Sequence, residues 1–161
     1  MRHSFRRKRN RLPLEVYRHP SAYSMTTAVK GRRPVFRDAQ IVEMCLQKLR
    51  EAAAKNGFEV VAYCFMPDHL HLLARTVENA DLVAFMRLFK QLSGYAYRRF
   101  TGDSEVLWQT SYHDHALRQE ESLHDAARYI WDNPVRAGLV ECAEEYPYSG
   151  SLTMGSERVE E

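Results

Sequence analysis

His69-Leu70-His71 is the triplet in this sequence best suited to chemistry. Along a strand, successive side chains point to opposite faces, so two imidazoles one residue apart stand side by side while Leu70 turns to the other face. Two converging ring nitrogens can hold a metal ion, yet the same triplet also arises in purely structural strands, and His113-Asp114-His115 repeats it. Further on, Tyr129 and Asn133 are four residues apart and would face the same way on a helix. A tyrosine beside a metal and a phosphate is a nucleophile, and an Asn side-chain oxygen is a hard ligand. Equally, Tyr129 suits an amphipathic packing position, and Asn133 suits a helix end before Pro134.

The elements that must position these groups follow from periodicity. Ser21–Val29 is rich in β-formers and precedes a Gly31-Arg-Arg-Pro34 turn, so a first strand is expected there. Asp38 is placed to cap a helix in which Ile41, Cys45, Leu46 and Leu49 recur at helical spacing, and Asn56-Gly57 stops it. Phe58–Phe65 is dense in Val and aromatic residues and reads as a second strand. After the Met66-Pro67-Asp68 break, His69–Thr76 reads as its antiparallel hairpin partner. Asp81 opens a second helix with Leu82, Phe85, Phe89, Leu92 and Ala96 as its apolar stripe. Tyr112–Arg118 is a fourth strand, and Glu120–Trp131 a third helix ended by Asn133-Pro134. The order β-α-β-β-α-β plus a helix carrying Tyr129 is that of an α+β, ferredoxin-like sandwich, with helices on one sheet face and the other face free for a site.

Charge adds a second theme. Residues 1–37 carry eleven Lys and Arg against Glu15 alone, a local net charge of +10 in a chain whose total is +2. A basic arm of this kind favours a polyanion such as nucleic acid, although a solvated tail would look the same. We divide the chain into a basic arm at 1–16, one domain at 17–149 and a tail at 150–161. No stretch approaches the roughly 20 apolar residues of a membrane span, and no apolar segment follows the basic N-terminus, so a cytoplasmic protein is expected. Cys45, Cys64 and Cys142 form no CxxC pair, which argues against a disulfide framework or a cysteine zinc site.

Four ordered blocks together resemble the REP-associated tyrosine transposases, within the wider group of single-tyrosine HUH transposases. They are Met66-Pro-Asp-His-Leu-His-Leu-Leu73, the run Trp108–Arg118, the run Tyr129–Val140 and Tyr146-Pro-Tyr-Ser149. The resemblance spans residues 17–149. It implies that His69 and His71 ligate a divalent metal, Mg²⁺ or Mn²⁺, and that Tyr129 is the nucleophile. Asn133 falls where the family places a third, amide-type ligand, commonly Gln in the broader group. Asp114, His115 and Arg118 match a family pattern and take a supporting role. The implied activity is nicking and rejoining of single-stranded DNA through a 5′-phosphotyrosine, on palindromic repeats that fold as hairpins, by a monomer or a homodimer. Such a substrate would find phosphate contacts at Arg6, Arg7, Lys8, Arg9 and Arg11 of the arm and at Arg87, Lys90 and Arg98 of the second helix, with Tyr95 and Tyr97 nearby for base stacking.

Two other readings stand beside this one. A non-catalytic, RRM-like single-stranded nucleic-acid binder would need exposed aromatics on the central strands. Tyr63 and Phe65 are the candidates, but strict alternation puts them with Val61 on a core face. A zinc hydrolase using some of His69, His71, His113 and His115 lacks an evident Glu base beside the pair.

Overall fold

Residues 58–76 fold as the expected hairpin, and its two strands run through the middle of the sheet. The structure, a computed structural model, describes residues 22–77, 80–118 and 121–153. Arg6, Arg7, Lys8, Arg9 and Arg11 of the basic arm lie outside the described residues, as do residues 154–161 of the expected tail.

In chain order the elements are β1 (Ala22–Ala28), α1 (Ala39–Lys55), β2 (Phe58–Met66), β3 (His69–Thr76), α2 (Leu82–Thr101), β4 (His113–Ala116), α3 (Leu123–Trp131), the single turn α4 (Asn133–Arg136) and β5 (Ser149–Gly150). The sheet order is β4-β1-β3-β2-β5, and every neighbouring pair is antiparallel. Its first four strands have the ferredoxin-like βαββαβ arrangement. The short β5 then adds a pairing on the free edge of β2, and the Leu152 amide donates to Val60, so the sheet takes in chain beyond Ser149.

Local chemistry explains the helix boundaries. Asp38 and Asp81 cap α1 and α2 by accepting from the Gln40 and Ala84 amides, and Gly102 closes α2 in the left-handed region at φ 70°. The third helix begins at Leu123 rather than Glu120, because Ser122 supplies its cap through the Asp125 amide. It also ends sooner than a single rod through Asn133. Pro134 has no N–H to continue the ladder, and Asp132 separates α3 from α4, which Asn133 opens.

The two faces of the sheet differ. On one, α1 and α2 pack Cys45, Leu49, Phe85 and Phe89 against Met25, Phe65, Leu70 and Leu72 in one large core. Each such side chain contributes roughly 1.5–3 kcal/mol when fully buried. The buried stripe of α2 passes through Ser93 and Tyr97 rather than Leu92 and Ala96, which remain partly exposed. On the other face, Ala127 and Ile130 of α3 and Tyr146 cover Ala62, Cys64, Met66 and Leu73. That face is therefore not free, but roofed in part by the tyrosine-bearing helix. Trp131 Nε1 donates to the Gly150 carbonyl at 2.9 Å, and the Tyr146 hydroxyl donates to the Phe65 carbonyl, which ties this layer to β2.

Strict alternation fails in β2. The pairing register with β3 shifts between Val60 and Ala62, so Val61 joins the α3 face while Tyr63 and Phe65 pack under α1 and α2. Tyr63 and Phe65 thus belong to the core, as expected, but not on the face of Val61.

Candidate active site

β3 places His69, His71 and Leu73 on the α3 face and Leu70 and Leu72 in the opposite core, as its two-residue period requires. The two Nε2 atoms are 3.0 Å apart and the rings stand edge to face. Each remaining nitrogen has its own partner: His69 Nδ1 lies 2.6 Å from Asp68 Oδ1, and His71 Nδ1 lies 3.0 Å from Thr26 Oγ1. Partners of this kind fix ring orientation and turn the Nε2 lone pairs toward a shared point. Nitrogens at that separation subtend roughly 90° at an ion about 2.1 Å from each, the angle of adjacent octahedral ligands. Burial, reinforced by the nearby charges of His69 and Arg136, pushes the His71 imidazole down to about 4, so it is neutral near pH 7. The pair therefore fits a divalent cation. Among the described residues no cluster of three or more His, Cys, Asp or Glu could hold one; an amide, water or the substrate could add to the two imidazoles.

Tyr129 lies on α3, whose Ala127 and Ile130 pack on the same sheet face as the imidazoles. Its side chain is 64% exposed, as an attacking phenol must be. Asn133 does not share its helix, but the two are joined by a residue that spacing alone does not single out. The Arg136 guanidinium carbon lies 3.9 Å from the Tyr129 ring centroid, and its Nη2 donates at 2.8 Å to both the Tyr129 carbonyl and Asn133 Oδ1. The Asn133 Nδ2 is buried without a hydrogen-bond partner among the described residues. Arg136 is also close enough to His71 and Cys64 to lower the pKa of each, although burial dominates at Cys64 and pushes its thiol up to about 12.

The second HxH triplet falls on the same face but at a distance. His113 stands opposite Thr26, which stands opposite His71, so two strand spacings of about 5 Å each separate the backbones. His115 pairs with Glu121 at 3.0 Å. Asp114 lies opposite Met25 on the helix-packed side, so Asp114 and His115 point to different faces. Arg118 is exposed beyond the end of β4.

The cations of α2 lie across the sheet from the imidazoles. Arg87 and Arg98 are exposed. Lys90 instead donates to the Gln109 and Ser111 carbonyls and sits 5.4 Å from the Tyr112 ring, which anchors the segment before β4. Tyr95 is 58% exposed under Arg99 and, with Arg98, borders a cavity of about 520 Å³ beside Val106 and Trp108. Tyr97 is buried and cannot stack on a base. Arg33, counted in the basic N-terminal charge, is committed to the fold through Asp103, the Tyr97 hydroxyl and the Val106 carbonyl.

Comparisons with known proteins bear on this geometry. Residues 18–133 match the family described as "Transposase IS200 like". A Haemophilus influenzae protein named REP-associated tyrosine transposase is 33% identical over 102 residues, covering 57% of this chain and 58% of that protein, so the chain spans less than two thirds of its length. The ISDra2 transposase TnpA of Deinococcus radiodurans is 31% identical over 114 residues, covering 63% of this chain and 79% of that protein. A solved REP-associated tyrosine transposase bound to a REP hairpin has the same fold, with a TM-score of 0.71 at 23% identity over 83% of this chain and 78% of that one. The family match ends at Asn133 and leaves out Arg136.

Proposed function

The chain belongs to the IS200-like transposase family, a family of DNA-processing enzymes, and from that premise we propose that it nicks and rejoins single-stranded DNA through Tyr129. The observation that carries the reading is the imidazole pair, its Nδ1 atoms held by Asp68 and Thr26, on the sheet face packed by α3, the helix that bears the exposed Tyr129. The substrate we assign is a repeat-derived DNA hairpin with a single-stranded flank, as the names of the relatives and the hairpin-bound neighbour suggest. A DNA substrate accords with the cytoplasmic location expected from the sequence; among the described residues no helix is long and apolar enough to cross a membrane.

His69, His71 and Asn133 would hold the metal, Mg²⁺ or Mn²⁺. When bound, such an ion polarises the scissile phosphodiester and offsets charge on the departing oxygen. The Tyr129 hydroxyl attacks phosphorus in line; a bond forms between its oxygen and phosphorus as the bond to the 3′ oxygen breaks, and the phenolic proton is balanced by protonation of that oxygen. The products are a 5′-phosphotyrosine and a 3′-hydroxyl. The covalent link keeps the energy of the broken bond, so the reverse step can rejoin a strand without ATP. Because α3 packs on the strands of its own chain, we assign Tyr129 to the His pair of the same chain rather than to a dimer partner. The RRM-like alternative loses its motive, since Tyr63 and Phe65 lie under α1 and α2.

The test is incubation of the protein with hairpin DNA and Mn²⁺, followed by SDS gels. We expect a covalent protein–DNA adduct that disappears in His69→Ala and His71→Ala while hairpin binding persists. Metal-independent binding with no adduct on any hairpin would instead support the non-catalytic binder.

A further inference from the structure

Arg136 lies three residues beyond Asn133, past the end of the family match at residue 133 but within the Tyr129–Val140 block that carries the resemblance, and it touches both residues assigned to the chemistry of the α3–α4 corner. Its guanidinium covers one face of the Tyr129 ring, and a single nitrogen bridges the Tyr129 carbonyl and Asn133 Oδ1. The corner needs such a tie. Backbone hydrogen bonds from the Asp132 amide to Arg128 and from the Arg136 amide to Asp132 carry the chain across the α3–α4 junction, but they leave the Tyr129 and Asn133 side chains unfixed. An exposed tyrosine has several staggered side-chain orientations available, and a misplaced nucleophile slows an in-line attack severely.

We infer that Arg136 is a positioning residue for strand cleavage, which holds the Tyr129 ring and the Asn133 oxygen as one unit facing the His pair. This rests on the reading of Tyr129 as nucleophile and Asn133 as ligand given above. The planar guanidinium is suited to the task because it can stack on a ring and donate in its own plane at once, which a lysine ammonium cannot do. An amide oxygen has two lone pairs, so Asn133 can accept from Arg136 and still face a cation. Arg136 then acts on Asn133 as Asp68 and Thr26 act on the imidazoles. Being exposed, it contributes little to the core, so its contacts matter for geometry more than for folding.

Arg136→Gln and Arg136→Lys test the inference. In single-turnover reactions with hairpin DNA, Arg136→Gln should slow adduct formation at saturating DNA by about 10- to 100-fold, the usual effect of losing an outer partner of a metal ligand. The DNA concentration giving half the maximal rate should be unchanged, the Mn²⁺ requirement should rise, and Arg136→Lys should recover part of the rate. A second readout needs neither metal nor DNA: with carbon-13-labelled tyrosine, the Tyr129 ring signal, identified by its absence in Tyr129→Phe, should move in Arg136→Gln. A wild-type rate in Arg136→Gln, a defect confined to DNA affinity, or an unmoved ring signal would each overturn the inference. If Arg136→Gln fails to fold, full activity of Arg136→Lys would overturn it. Absence of an adduct from the unmodified protein would instead overturn the functional reading on which it rests.

Discussion

The helix-packed face and the α3 face of one sheet are built by different rules. Under α1 and α2 lies one continuous apolar cluster in which many side chains share the burden. Beneath α3 the apolar cluster is small, and the neighbouring His pair is held by individual polar contacts to Asp68 and Thr26. Stability should therefore depend on the first face and chemistry on the second, and substitutions can separate the two.

The largest effects should come from crossing that division. Phe85→Ala, deep in the large core, should cost about 3–5 kcal/mol, a large part of the usual 5–15 kcal/mol, measured by urea unfolding, and should reduce binding and cleavage together. His71→Ala should abolish the adduct yet unfold near the original denaturant concentration. Mixing His71→Ala with Tyr129→Phe should restore no adduct if each chain uses its own tyrosine; recovered activity would show exchange between chains. Thr26→Val, which removes only the partner of His71 Nδ1, should raise the Mn²⁺ requirement for cleavage about 10- to 100-fold.

Stability should also follow pH. The His71 imidazole is lowered from 6.5 to about 4 in the fold, chiefly by burial. The unfolded chain therefore binds a proton that the native one does not across that interval, and stability should rise with pH from about 4 to 6.5 and level off above it. In the metal-free protein His71→Gln should flatten this slope, as followed by thermal unfolding. Smallest is Arg98→Ala, on the far side of the sheet. It should lower the salt dependence of hairpin binding by about one unit of slope while leaving the adduct rate at saturating DNA unchanged.

Much of this architecture was readable from local pattern. The bounds of β3, the caps Asp38 and Asp81 and the shared face of His69 and His71 all follow from period and spacing. What escaped depends on contacts between distant parts of the chain. The register shift at Val61, which separates it from Tyr63 and Phe65, arises from pairing with β3 and leaves no mark in composition. Ser122 could have been recognised as a cap, being a Ser just before an amphipathic run. Arg136 lies inside the Tyr129–Val140 block, but its role could not be recognised, since the contacts of its guanidinium with a phenol ring and an amide oxygen are visible only in the folded α3–α4 junction. Arg33 and Lys90 carry a related lesson: a cation counted toward nucleic acid can be consumed by carbonyls and carboxylates of the protein itself.

The most direct test of the α3 face as the site of cleavage is peptide mapping of the DNA-linked protein by mass spectrometry. The account predicts a nucleotide joined through its 5′ phosphate to the peptide containing Tyr129. A nucleotide carried by any other residue, or a linkage through a 3′ phosphate, would contradict it.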